Sequence, residues 1–178
     1  MPKAKPARPS LGEEILAEIG RQLGENAIQN IYEQHVLSGR TRRYELRAVG
    51  KADEVEIIHT LLGIELKIGK RRLICPDLAS ARYLAVFARA GCDSVAMPYD
   101  ITKISFVADK LESSWHQMCL LVEHLARDRS ARSRSLIKRR VISDLRVKIA
   151  ELGAGKDYPD FPAPSRRKPK PFPGSGTR

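Results

Sequence analysis

The spacing of apolar residues changes twice along this chain of 178 residues, and this change limits the folds it can form. In residues 10–38 apolar residues recur three and four apart, which predicts two amphipathic helices separated near Gly24. In residues 44–75 they mostly alternate with polar residues, which predicts strands. The helical period then returns and is interrupted by one short apolar strand at residues 94–99. This order predicts a mixed α/β domain.

Within that domain we expect a small central sheet of four to five strands flanked by helices. The clearest strand is residues 64–68, where Leu66 faces the core while Glu65 and Lys67 share the opposite face. Asp77 is suited to cap the N-terminus of the helix that follows the strands. Two more helices, at residues 105–127 and 135–152, form a helical basic C-terminal extension.

Composition divides the chain into three parts. Residues 1–9 are basic and Pro-rich, and we expect them to be disordered. Residues 10–152 form a single α/β domain, and residues 153–178, with six prolines among Lys, Arg, Gly and Ser, are expected to be a disordered basic tail. The three cysteines show no metal-ligand spacing and no apolar run could cross a membrane, so we expect a cytoplasmic protein.

Positive charge is concentrated at the C-terminal end of the chain. Residues 127–178 hold 15 Lys and Arg against 5 Asp and Glu, whereas residues 1–126 hold 17 against 16. A nearly neutral body with a strongly basic end is typical of a protein that binds a polyanion, most often nucleic acid. Nucleic acid is therefore the expected partner.

The densest basic cluster is interleaved with serines and contains one acidic residue, Asp128. Its members are Arg127, Arg129, Arg132, Arg134, Lys138, Arg139 and Arg140. Arginine can hold a phosphate with two hydrogen bonds, so this cluster is a candidate nucleic-acid-binding surface. The alternative is a solvated charged connector between two helices.

A second basic group, Lys70, Arg71 and Arg72, lies at a predicted turn between strands and is a further candidate for contact with the nucleic-acid backbone. Arg40, Arg42 and Arg43 could enlarge the same patch. Aromatic residues are sparse and no base-reading motif occurs, so the sequence leaves DNA and RNA as open alternatives.

One arrangement of carboxylates could support catalysis. Asp53 and Glu65 could hold a divalent cation such as Mg²⁺ through oxygen ligands. The metal would lower the pKa of a bound water, and Lys67, on the same strand face as Glu65, could orient that water. The alternative is a polar strand face held by salt bridges.

With these residues the chain resembles the PD-(D/E)xK nuclease superfamily, specifically its archaeal Holliday-junction resolvase type. The resemblance covers residues 53–99 and is clearest in residues 63–68 and 83–91. It implies a restriction-endonuclease-like fold, with Asp53 and Glu65 as Mg²⁺ ligands and Lys67 as the catalytic lysine. A homodimer is the implied assembly, and the helical glutamate of the family could match Glu14 or Glu33.

Three functional hypotheses follow from these patterns. The first is a nucleic-acid-binding protein without catalysis, and the second is a metal-dependent endonuclease. The third is a structural or assembly protein that uses the long helix of residues 105–127 as a partner or dimer surface.

Overall fold

The computed structural model describes residues 11–48 and 54–155, and it confirms a mixed α/β fold. The helices are α1 (Leu11–Leu23), α2 (Ile28–Ile31), α3 (Leu78–Arg89), α4 (Ile101–Leu125) and α5 (Ala131–Leu152). A 3-10 turn, Gly24–Asn26, precedes α2, and a π-helical segment, Tyr32–Leu37, continues it. The strands are β1 (Thr41–Glu45), β2 (Val55–Thr60), β3 (Gly63–Ile68), β4 (Arg71–Cys75) and β5 (Ser94–Pro98).

The five strands form two antiparallel sheets where we expected one central sheet. Strands β2, β3 and β4 form a meander joined by two-residue turns. Strands β1 and β5 pair separately, with Thr41 opposite Pro98 and Glu45 opposite Ser94. Because these two strands lie far apart in the sequence, no local pattern indicates that they pair.

Helix α3 lies at the centre of the molecule, between the three-stranded sheet and α4. Its Tyr83, Leu84 and Phe87 are fully buried, and so is Leu66 on the sheet face that packs against it. Asp77 accepts a hydrogen bond of 2.7 Å from the backbone nitrogen of Ser80, which confirms the predicted N-cap. One buried helix therefore organises the packing on both of its sides.

Two tyrosine hydroxyls complete the hydrogen bonding of β5. Tyr32 accepts a bond of 2.7 Å from the backbone nitrogen of Ala96, and Tyr83 donates one of 2.6 Å to the carbonyl of the same residue. Burial raises the pKa of Tyr32 to about 12 and also raises that of Tyr83, so both hydroxyls keep their protons at neutral pH. The backbone N–H and C=O of Ala96 point away from β1. Because both are bonded to tyrosine hydroxyls, no other strand can pair with β5 at this position on its outer edge.

The same Tyr32 hydroxyl also fixes the end of the described chain. It donates a hydrogen bond of 2.7 Å to the carbonyl of Gly153, just after α5. Gly155, at φ 80°, then lies directly against Thr41 and Ala96, where no side chain would fit. The segment that follows α5 is thus held against the two-stranded sheet.

Both long C-terminal helices begin one turn earlier than the apolar pattern predicted. Helix α4 starts at Ile101, where Asp100 accepts a hydrogen bond of 3.0 Å from the backbone nitrogen of Thr102. Helix α5 starts at Ala131, with Ser130 as its N-cap. The first turn of each helix is mostly exposed, so its residues do not join the buried stripe from which the helix was predicted.

Candidate nucleic-acid interface

Helix α5 presents part of the predicted basic cluster to solvent because its opposite side is buried. Its buried residues recur every four positions: Ile137, Val141, Leu145 and Ile149. Arg132 and Arg139 lie away from this stripe and are exposed. They are seven residues apart, so their backbones are separated by about 10 Å along the helix axis. The two arginines therefore form a row along the outer side of α5.

Most of this cluster has no acidic partner. In the part of the chain that the structure describes, no ion pair joins Arg129, Arg132, Arg134, Lys138 or Arg139 to a carboxylate. Arg127 lies 3.7 Å from Asp128, and both side chains are largely exposed. We define the α4–α5 corner as these six basic residues.

Arg140, the remaining member of the predicted cluster, has a different role. Its Nη2 lies 3.2 Å from Oε1 of Glu13, which ties α5 to α1. Its side chain also packs against Gly12. Because this guanidinium already holds a carboxylate within the protein, we exclude Arg140 from the corner.

The corner lies at the positive end of the α5 dipole. Ser130 accepts a hydrogen bond of 3.2 Å from the backbone nitrogen of Ser133, and no acidic residue occurs in the first turn. Arg132 and Arg134 lie in or next to that turn, although cations there are disfavoured by the helix macrodipole. A bound phosphate would offset both the arginine charges and the dipole.

Arg89 also lies near this corner, although it was not predicted from the sequence. Burial raises the pKa of the Cys119 thiol on α4, while the positive charges of Lys138 and Arg89 act to lower it. These two cations therefore lie close to α4, one from α5 and the other from the last turn of α3. Arg89 is isolated in the sequence, so no charge run indicated it.

The three basic residues at the predicted turn between β3 and β4 differ in their contacts. Arg71 donates a hydrogen bond of 3.0 Å to the carbonyl of Leu46, just after β1. Arg72 pairs with Glu65, while Lys70 forms no ion pair with any described residue. Two of the three predicted phosphate-binding side chains are thus engaged within the protein, and their role in binding stays a prediction.

The basic residues of β1 lie close to this turn. Arg42 and Arg43 are exposed on the strand, and Nη2 of Arg42 lies 3.8 Å from the sulfur of Met97. The bond from Arg71 to Leu46 brings the β3–β4 turn to the end of β1. The two groups that we expected to enlarge one patch therefore lie on adjoining elements.

Glu65 and Lys67 share the outer face of the three-stranded sheet, as predicted. Nζ of Lys67 lies 2.9 Å from Oε2 of Glu56 on β2, and Nη1 of Arg72 on β4 lies 3.4 Å from Oε2 of Glu65. Each charge of the predicted catalytic pair thus has a partner on a neighbouring strand. We call this face, with Glu56, Glu65, Lys67 and Arg72, the charged sheet face.

The predicted Mg²⁺ ligand Asp53 lies outside the described residues. Its neighbour Glu54 accepts a hydrogen bond of 2.9 Å from the nitrogen of Gly69, whereas Glu65 lies opposite Ile58. Ile58 lies four positions after Glu54, which corresponds to about 13 Å along a strand. The sheet register itself therefore does not bring Glu65 towards the start of β2, and a metal ion shared with Asp53 stays a prediction.

The other predicted metal partners are Glu14 on α1 and Glu33 in the π-helical segment, and both are exposed. Within residues 11–48 and 54–155, no group of three or more His, Cys, Asp or Glu side chains is arranged to hold a metal ion. The structure therefore gives no reason to prefer Glu14 or Glu33 as the helical glutamate.

None of the helices in the described residues is long and apolar enough to cross a membrane. The function of the α4–α5 corner is inferred from its own geometry and charge. No protein-family model matches this chain, and no curated protein or solved structure matches it either.

Proposed function

We propose that this protein binds nucleic acid through the sugar-phosphate backbone, at the α4–α5 corner. The observation that carries the proposal is a cluster of exposed arginines that, apart from Arg127, have no carboxylate partner in the described structure. Elsewhere basic side chains such as Arg21, Lys67 and Arg82 pair with acidic residues of the protein. Unpaired arginines grouped at a helix N-terminus are suited to phosphate oxygens.

Helix α5 lacks the side chains that stack on bases or that recognise adenine. The helix contains no aromatic residue and no Asn or Gln. Aromatic rings would be needed to stack on bases, and Asn or Gln is typical of adenine recognition in the major groove. Contacts with phosphate groups supply affinity and position without sequence preference.

The salt dependence of binding tests this proposal. We would measure the affinity for a 20-base-pair duplex of mixed sequence by fluorescence anisotropy over a series of KCl concentrations. The test variant is Arg132→Gln with Arg139→Gln. The matched control is Arg21→Gln with Lys148→Gln, which removes the same net charge from exposed helix positions whose cations pair with Glu18 and Asp144.

We expect wild-type affinity to fall steeply with salt, because counterions are released from the duplex. Removing two phosphate-binding arginines should lower the slope of log K against log[salt] by about 1.8. The control should keep the wild-type slope. If wild-type binding were independent of salt, or if both double variants lowered the slope equally, the α4–α5 corner would not be the binding surface.

Metal-dependent cleavage by Asp53, Glu65 and Lys67 is a separate hypothesis, and a cleavage assay tests it. Duplex, branched and single-stranded substrates of DNA and RNA would be incubated with Mg²⁺ or with a chelator. A nuclease would cut only with Mg²⁺, and Glu65→Ala and Lys67→Ala would abolish cleavage while binding at the corner survives. A wild-type chain that binds these substrates and cuts none of them would support binding without catalysis.

A further inference from the structure

Strand β4 is an outer strand of the three-stranded meander, and its outward backbone groups can be identified from its register. The turn at residues 69–70 joins the facing residues Ile68 and Arg71. In an antiparallel pair, hydrogen-bonded and non-hydrogen-bonded positions alternate. Leu73 and Cys75 therefore bond to β3, whereas Arg72 and Ile74 direct their N–H and C=O groups away from the sheet.

An apolar side chain is exposed on the same edge. Ile74 is 73% exposed and is the one large apolar side chain so exposed within any described strand. The side chain of Arg72 next to it is 61% exposed. An edge with outward backbone groups and an exposed aliphatic residue is a template for pairing with another strand.

We propose that β4 pairs with β4 of a second copy of this chain, antiparallel and about a two-fold axis through Leu73. In this register Arg72 of each copy faces Ile74 of the other. Both residues have outward backbone groups, so the two pairs would form four hydrogen bonds and a continuous six-stranded sheet. Each exposed Ile74 would then be covered by the aliphatic stem of an arginine.

Charge and backbone chemistry favour this register over its neighbours. A shift by two residues in one direction places Arg72 opposite Arg72, which brings like charges together. A shift in the other direction places Arg72 opposite Pro76, which has no N–H to donate. The register centred on Leu73 avoids both, so the β4 edge is complementary to itself.

The remaining strand edges are less suited to a second copy. Tyr32 and Tyr83 close the outer edge of β5, and Gly155 lies against Thr41 on β1. Strand β2 has an open edge, but none of its large apolar side chains is exposed. Among the described strands, β4 alone combines an open edge with apolar surface to bury.

Crosslinking of the full-length chain tests this register. Leu73 would face Leu73 of the second copy at a non-hydrogen-bonded position, where Cα atoms are about 4.5 Å apart, within the range of a disulfide. We expect Leu73→Cys to form a reducible dimer under mild oxidation. The matched control is Ser113→Cys on the exposed side of α4, which should stay monomeric on a non-reducing gel.

Two charge variants test the same contact without a crosslink, with molar mass measured by light scattering. The wild-type chain should show twice the 19.9 kDa of one copy. Ile74→Lys, facing Arg72, should give a monomer, whereas Ile74→Glu should keep the dimer by pairing with that arginine. A monomeric wild-type chain, equal behaviour of the two variants, or crosslinking by Ser113→Cys alone would overturn the proposal.

Discussion

The charged sheet face and the α4–α5 corner both expose cations, but they differ in what those cations contact. On the sheet, Lys67 and Arg72 each reach a glutamate on a neighbouring strand. At the corner, Arg132 and Arg139 have no carboxylate partner among the described residues. The comparison indicates that the first set of charges serves the fold, while the second set is available to an external anion.

The corner retains these charges at a small cost in stability. Like charges on one helix face and cations near a helix N-terminus are each unfavourable by a few tenths of a kcal/mol, about 0.3–1 for the dipole interaction. Apart from the exposed pair of Arg127 with Asp128, no ion pair with a described residue offsets this cost. A charged surface that lowers the stability of the protein is what the proposed binding role would require.

The largest expected effect comes from giving the corner the acidic partner that the sheet face already has. Ser135 is exposed on α5, three residues after Arg132 and four before Arg139. Ser135→Glu should pair with both arginines. At 0.1 M salt, duplex binding should weaken by about eightfold for each phosphate that is no longer held, given a slope of 0.9 per phosphate. Anisotropy measures the decrease in affinity.

Ser135→Gln is the matched control, because it has the same size without the charge. It should bind the duplex like the wild-type chain. If the Glu and Gln variants bound equally, the proposed difference between the corner and the sheet face would be wrong.

A smaller effect is expected from reversing a charge on the sheet face. Lys67→Glu removes the pair with Glu56 and places like charges on adjacent strands, so it should lower the free energy of unfolding by about 1 kcal/mol. Urea denaturation measures the change. Adding Glu56→Lys should recover part of this stability, and strictly additive effects in this double-mutant cycle would show that the pair does not stabilise the fold.

The smallest expected effect is an increase in stability, whereas Lys67→Glu should decrease it. Arg132→Glu places an anion near the N-terminus of α5 and breaks no ion pair among the described residues, so it should raise the free energy of unfolding by about 0.3–1 kcal/mol. The same variant should bind the duplex more weakly. Arg132→Gln gives the intermediate case, and a decrease in stability of the Glu variant would mean that Arg132 has a structural partner.

Local chemistry was sufficient to predict much of the fold. Leu66 is buried while Glu65 and Lys67 lie on the opposite face of the strand, and Asp77 caps α3. Both features depend on residues close in sequence. The pairing of β1 with β5 could not be predicted in this way, because Thr41–Glu45 and Ser94–Pro98 are far apart in the sequence. The contacts of Tyr32 and Tyr83 with Ala96 were equally hidden, because they also join residues that are distant in sequence.

The candidate site was predictable in its composition but less so in its contacts. The charge run marked the residues of α5, whereas the bond from Arg140 to Glu13 joins two helices that are remote in sequence. Leu61 lies within the alternating segment of residues 44–75 that predicted strands, but it is fully exposed in the turn between β2 and β3. Alternation shows which residues share a face, but it does not show where a strand ends.

The position of Gly155 has a consequence for the proposed binding. Tyr32 holds Gly153, and Gly155 lies against Thr41, so the described chain ends beside β1, and the Lys- and Arg-rich residues 156–178 follow from that point in the sequence. Once the corner holds a polyanion, the effective concentration of the tethered cations is set by their reach from that point. A duplex too short to extend from the corner to the neighbourhood of β1 would then bind with less avidity while keeping every contact at α5.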